Sequence, residues 1–423
     1  MTIVYSAAVK RAAIFMALFG LCAGPAGRAA AATLEFPIPT GGADPEGIAC
    51  GPDGAYWFVE YAQGKIGRVN TNGVMSEYQI PSGNCRPFDI VNAGDGSNLW
   101  FSEAGFNLVG RINTNGLIKE FQLPFIASST GITMGPDGRL WLLDFGGEYV
   151  QGARTNGGVF ALTLSNAVVT GGSYYNSNLT VHSRPVVIKT GPDGNLYFSE
   201  QLAGKIGRIT TNGAITEATA TPTNVQPFDI TTGPDGAIWF TEANTNALGR
   251  IDPANFTNVV QFSLPTNNTG GLVGDEPNGI VLGKDGNLYY TDSPGGIIGR
   301  VTVNGTNLTV VQFYTPTTNA EPWRVATGPD GNIWFGEFAA DAVGKFFLPV
   351  PLSIQLTNQQ VLISWTTNVG TSFMLEENPG FNPTNWVLVT NVPVVNTNTG
   401  SYTVDIAVTN NPPTNTLFFR LID

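Results

Sequence analysis

Apolar and polar positions in this chain fall into short runs, broken at near-regular intervals by Gly, Pro, Asp and Asn. Runs such as Ala237-Ile-Trp-Phe-Thr-Glu242 carry the β-branched and aromatic side chains of strands, and no segment sustains a helical 3.6-residue period. Asp-Gly at Asp193-Gly194 and Asp235-Gly236, and Asn-Gly at Asn72-Gly73, Asn115-Gly116 and Asn212-Gly213, supply the positive φ that tight hairpins require. The repeating unit is an apolar strand, a GPDG-like turn, an aromatic strand ending in an acid, a Gly-Arg strand, a TNG-like turn and a strand ending in Leu-Pro. The turn aspartates Asp53, Asp95, Asp137, Asp193, Asp235, Asp285 and Asp330 are spaced by 42, 42, 56, 42, 50 and 45 residues. Periods in the forties with four strands per unit predict β-propeller blades.

The two ends of the repeat predict how the ring closes. The seventh unit runs out after Val343-Gly-Lys345 without its last strand, while Leu34-Glu-Phe-Pro-Ile-Pro39 stands alone near the N-terminus. That stretch matches Ser76–Pro81 and Lys119–Pro124, so it is expected to complete the seventh blade. The third unit is long, and Gly146 to Ser183, including Gly171-Gly-Ser-Tyr-Tyr-Asn176, reads as an insertion. The expected fold is all-β: a seven-bladed propeller over 33–348, then a small β-sandwich-like module of the fibronectin-III kind over 349–423.

Charge and composition narrow the partners. Charged residues are only 12% of the 423, the formal net charge is −12 and the pI is about 4.6. Without a basic stripe, nucleic acid and anionic membrane surfaces are excluded as expected partners. Lys10 and Arg11, the apolar stretch Ala12 to Ala23 and the small residues Ala29 to Ala32 read as an export signal over 1–32. The stretch is shorter than the ~20 residues a span needs, and Leu21 before Cys22 disfavours lipidation. The expected product is a secreted or periplasmic monomer with no membrane span. Cys50 and Cys85 align seven positions apart on neighbouring inner strands, on the order of 20 Å, too far for a disulfide. Cys50 is expected to be buried, and Cys85 to be the more reactive loop residue.

Two rings of side chains are expected at one end of the blades. One follows each proline: Glu46, Phe88, Val186, Phe228, Asn278 and Trp323. The other closes each aromatic strand: Glu60, Glu103, Asp144, Glu200, Glu242, Asp292 and Glu337. Because Arg68, Arg111, Arg208, Arg250, Arg300 and Lys345 lie eight residues beyond six of these acids, the expected arrangement is an acid–base pair within each blade.

Repeats such as Gly233-Pro-Asp-Gly-Ala-Ile-Trp-Phe-Thr-Glu242 followed by Leu248-Gly-Arg250 resemble the blades of the streptogramin B (virginiamycin B) lyases over residues 33–348. The resemblance implies ring opening of a cyclic depsipeptide by elimination, with Mg²⁺ polarising the ester and a histidine removing the α-proton. It places the first histidine at Asn278 and a Glu-x-His at Glu321 and Trp323. A register one blade earlier gives Phe228, Glu276 and Asn278. Only the glutamate is kept, and neither Asn nor Trp accepts a proton near neutral pH. The chain's single histidine, His182, is a weaker candidate base. The leading expectation is therefore a family member without the histidine bases, binding a small molecule, peptide, glycan or cation through Glu46, Arg86, Asp89, Asp229, Glu276, Asn278, Glu321, Trp323 and Arg324. The alternatives are an active lyase or metal-dependent lactonase, with Glu321 on the metal if lyase-like, and a cell-surface scaffold.

Overall fold

A computed structural model describes residues 33–123, 128–146, 157–220, 225–266 and 275–348; elsewhere only the backbone of several strands is described. The chain divides into two compact units, Arg28–Phe347 and Met1–Gly27 with Leu348–Asp423. The first unit is a seven-bladed propeller, each blade a four-stranded antiparallel meander. The inner strands are Pro45–Cys50, Pro87–Asn92, Ser129–Met134, Pro185–Thr190, Pro227–Thr232, Pro277–Leu282 and Pro322–Thr327. The last packs against the first and closes the ring. No helix occurs among the described residues, so none is long and apolar enough to cross a membrane.

Every inner strand begins with a bulge. Pro45 pairs with Glu60 but Ile48 with Phe58, and the same shift recurs in the other six blades. A bulge leaves main-chain groups without ladder partners. Side-chain hydroxyls on the second strand take them: Thr241 Oγ1 accepts from Asp229 N at 3.0 Å and donates to Asn278 O in the next blade at 2.6 Å. Ser199 does the same with Val187 N and Phe228 O, and Thr291 with Gly279 N and Trp323 O. The hydroxyl thus ties one bulge to the next.

The turn end of each blade is held by a different motif, which corrects the expected acid–base pairing. Asp53 accepts the Trp57 indole N–H at 3.0 Å and the Arg68 Nε–H at 2.7 Å, and Arg68 lies over the Trp57 ring. Asp235, Trp239 and Arg250 repeat it, and so do Asp330, Trp334 and Lys345. The reason is register: Arg68 faces Trp57 across the hairpin, whereas Glu60 faces Lys65 at the opposite end. Gly67 between them is obligatory, because the Phe58 ring would sit 2.0 Å from an added Cβ.

Glu60, Glu103, Glu200 and Glu337 are instead fully buried beside a second glutamate on an outer strand, Glu77, Glu120, Glu217 and Glu35 respectively. Burial first, and then the neighbouring carboxylate, pushes Glu60, Glu103 and Glu200 up to about 8 and Glu337 to about 9. The outer glutamates clamp the linkers between blades. Glu217 accepts from Thr180 N and Oγ1, Glu77 from Thr40 N and Glu120 from Ser82 N.

Closure follows the expected course. Thr33–Pro37 pairs with Ala342–Phe346 and completes the seventh blade. Glu35 on that strand accepts from Thr317 N at 2.8 Å and Thr317 Oγ1 at 2.6 Å, so the linker clamp also spans the two ends of the repeat.

Two further expectations are corrected. Gly171–Asn176 is not an insertion: Val168–Tyr175 is the third blade's outer strand, on which Tyr175 stacks with Trp141 at 5.8 Å. The extra length begins after Asp144, where Tyr149–Val150 pairs with Ala153–Arg154. Both cysteines are free, but Cys85 is the buried one, packed in the core with Ile80, Ile90 and Phe101. Burial and then Glu103 push its thiol up to about 12, while half-buried Cys50 ends its inner strand. Cys50, not Cys85, is therefore the more accessible thiol.

In the second unit, Ser353–Thr357, Gln360–Thr366, Ser401–Ala407 and Val394–Asn396 form one antiparallel sheet. A second contains Met374–Asn378, Val387–Leu388, Leu417–Ile422 and Ile3–Tyr5. Ile3–Tyr5 lies within the segment read as an export signal; residues 6–32 of that segment are outside the described residues.

Deleting residues 33–40 strips the closing strand and the Glu35 clamp together. It is expected to lower the melting temperature by more than about 10 °C or abolish cooperative unfolding, as measured by circular dichroism. The buried acids set a pH dependence. Their folded-state values lie above the ordinary 4.5, so their contribution is complete below that value and is lost as pH rises toward 8–9. The turn aspartates Asp53, Asp137 and Asp235 lie below their ordinary value, because tryptophan and arginine hydrogen bonds outweigh burial, and their contribution is lost in acid. Thermal stability should peak near about pH 5 and fall toward pH 9, with a flatter alkaline limb in the double variant Glu60→Gln, Glu337→Gln.

Candidate functional site

The bulge decides what stands at the mouth of the central channel. In each blade the residue before the proline offers its carbonyl to the main chain just beyond the second-strand acid: Ala104 N donates to Arg86 O and Phe338 N to Glu321 O, both at 3.0 Å. Asp44, Arg86, Arg184 and Glu321 lie in the left-handed region at this position, with φ of 49°, 52°, 54° and 54°. Non-glycine residues pay for that conformation only where surrounding bonds hold them. Arg86 and Glu276 are exposed on this rim and Glu321 is half-buried.

The residues after the prolines form the mouth itself, and those one further line the channel wall. Trp323 packs edge-on to Phe228 at 5.2 Å. The Arg324 guanidinium is flanked by Phe228 at 4.8 Å and Phe88 at 5.4 Å. Glu46 is 8% exposed and its Oε2 has no hydrogen-bond partner. Burial raises its carboxyl to about 7, against the attraction of Arg324 and the nearby Trp323 indole. Trp323 Nε1 and Arg324 Nε and Nη2 are likewise buried without partners. Glu46, Trp323 and Arg324 therefore converge from the first and last blades, with Phe88 and Phe228 as apolar walls.

The other expected contacts behave differently. Asp89 accepts from Ile90 N and from Ile132 N of the next blade, and Asp229 from Ile230 N and Ile280 N. Both carboxylates bracket neighbouring inner strands. Asn278 is 2% exposed and donates to the Glu276 carbonyl at 3.0 Å. His182 is exposed, at φ 59°, in the linker ahead of the fourth inner strand. Among the described residues no hydrogen bond, ion pair or ring contact joins His182, Arg86 or the Glu276 carboxylate to the converging group.

The donor set at the mouth does not suit Mg²⁺, which asks for near-octahedral oxygen ligands. No group of three or more His, Cys, Asp or Glu placed to hold a metal occurs among the described residues. The converging carboxyl, Glu46, already faces a guanidinium.

Further along the inner strands, toward the GPDG turns, the channel widens into a cavity of about 390 Å³ lined by Asp89, Lys189, Asp229, Thr231, Arg324 and Thr327, among others. Lys189 escaped the reading of the sequence. Its one signal there was a lysine in an innermost strand, at a position where other blades carry Val281 or Ala326.

With this geometry in hand, similarity to known proteins is specific. The family model described as the virginiamycin B lyase family matches residues 25–151 and 160–349. A virginiamycin B lyase of Nocardia farcinica is 43% identical over 60 residues, 14% of this chain and 21% of that protein, so the aligned segment spans about a fifth of that relative. A streptogramin B lyase structure superposes with a TM-score of 0.65 at 29% identity, over 75% of this chain and 97% of that one. A catalytically inactive histidine-to-alanine variant of virginiamycin B lyase from Staphylococcus aureus, solved with quinupristin, gives 0.64 at 29% identity, over 75% and 99%. The family model covers every blade that the structure shows, and the chain belongs to the virginiamycin B lyase family.

Proposed function

We propose that this chain is a non-eliminating member of its family: an exported propeller that binds a ligand at the channel mouth without opening it. The observation that carries this reading is the chemistry of Asn278 and Trp323, at the positions where the family resemblance expects histidines. An amide committed to a main-chain carbonyl and an indole cannot remove a proton near neutral pH. In the S. aureus relative, an alanine in place of one histidine gives a protein described as catalytically inactive. This chain holds one histidine in all, exposed His182.

Binding is supported by what remains at the mouth. Glu46 Oε2, beside the Trp323 indole, is a buried polar atom without a hydrogen-bond partner among the described residues, a costly state that a ligand or ordered water relieves. An acceptor and a donor between aromatic walls suit an amide-rich peptide or a hydroxylated glycan better than a bare cation, which Arg324 repels. Export rests on the leader-like segment from Lys10 to Ala32.

One observation favours a second reading, an active enzyme with Glu46 as base. Its carboxyl, raised to about 7 by burial, is poised for proton transfer. Incubation with quinupristin and Mg²⁺, followed by chromatography, separates the two readings. The expected outcome is unchanged substrate. Linear product whose rate rises through about pH 7 and drops ~10²-fold or more in Glu46→Gln would instead establish the second reading.

A further inference from the structure

We propose that the central channel holds a small oxyanion, a carboxylate or a phosphate, between Lys189 and Arg324, on the turn side of Phe88 and Phe228. Some charges in the cavity are already engaged. Its two carboxylates are: each oxygen of Asp89 and of Asp229 accepts a main-chain N–H from an inner strand, at 2.8–3.3 Å. Those four bonds hold neighbouring strands in register and occupy the carboxylate oxygens.

The two cations are not engaged in the same way. Arg324 is 4% exposed; its Nη1 forms an ion pair with Asp229 Oδ1 at 3.6 Å, while its Nε and Nη2 have no hydrogen-bond partner among the described residues. Lys189 attracts Asp229 through space but makes no hydrogen bond or ion pair among the described residues. A guanidinium donates in its own plane, and with Phe88 and Phe228 flanking it, the remaining partners must approach from its edge. A buried cation with open donors is costly until an acceptor meets it.

The cavity supplies the room and further donors. Its volume of about 390 Å³ takes a dicarboxylate or a phosphate with attendant waters, and is too small for a folded partner. Thr231 and Thr232 on the fifth inner strand add hydroxyls to the lining. The cluster draws on four blades, with Asp89 from the second, Lys189 from the fourth, Asp229 from the fifth and Arg324 from the seventh. An anion there would cross-link the ring from inside. The cavity shares Arg324 with the mouth, but neither Glu46 nor Trp323 lines it.

The test is isothermal titration and thermal melting of the full chain with inorganic phosphate and with succinate, against chloride at equal ionic strength. Saturable binding of either probe with a raised melting temperature is expected. The binding should weaken by at least about thirtyfold in Lys189→Met and in Arg324→Lys, and persist in Glu46→Gln. Lys189 is half-buried on the channel wall, so its variant reports even if the Arg324 variant does not fold. Binding of phosphate alone assigns phosphate, and binding of succinate alone assigns carboxylate. No binding of either, or equal binding by Lys189→Met and the wild-type chain, overturns the proposal.

Discussion

The bulge at the start of each inner strand is the constraint on which the rest of this propeller depends. One extra residue, inserted after the proline, rotates the next two side chains out of the strand's alternation. The first is delivered to the mouth and the second to the channel wall. Because the bulged N–H is taken by a second-strand hydroxyl in four blades, Ser102, Ser199, Thr241 and Thr291, the distortion is held by hydrogen bonds rather than by the mouth residues. In those four blades the mouth position carries Phe88, Val186, Phe228 or Asn278 on the same bulge. A scaffold built this way can lose catalytic side chains and keep its shape.

The two ends of each blade use opposite charge logic. At the turn end an aspartate is shared by an indole and a base, as at Asp53, or by a phenol and an asparagine, as at Asp193, which ties the first hairpin together. At the mouth end, acids are sealed in the blade beside other acids and hold their protons. A chain with few charges thus places many of its carboxyls where they act as hydrogen-bonding groups. Glu46 and Asp229 in the channel share the raised carboxyl, but they face Arg324 rather than another carboxylate.

Membership in a lyase family and the non-eliminating role proposed for this chain are compatible because the two rest on different layers of the blade. Family likeness is carried by the GPDG turn, the aromatic strand and the Gly-Arg strand, all of which pack blades together. The residues after the prolines form a different layer, buried at the mouth: Val186, Phe228 and Asn278 are 1%, 6% and 2% exposed. In this chain those residues are one acid, two phenylalanines, a valine, a tryptophan and an amide.

The repeat, its seven copies, the borrowed N-terminal strand and the identity of the mouth residues were legible in the sequence, because they follow from turn chemistry and strand alternation within about forty residues. The sequence also places Asn278 and Trp323 where the family resemblance expects histidines. The pairing of Glu60 with Arg68 was misread because spacing along a hairpin does not say which end each residue occupies; register put Arg68 against Trp57 and Asp53. Asp89 and Asp229 looked like ligand contacts, yet their partners, Ile132 N and Ile280 N, lie in the next blade, 43 and 51 residues away. Burial of Cys85, the neighbour that raises Glu60 and the isolation of Lys189 in a cavity are likewise contacts between elements. Sequence periodicity determined the blades, because a strand and its turn are local. Only the closed ring decided which charges meet, because that depends on where one blade lies against another.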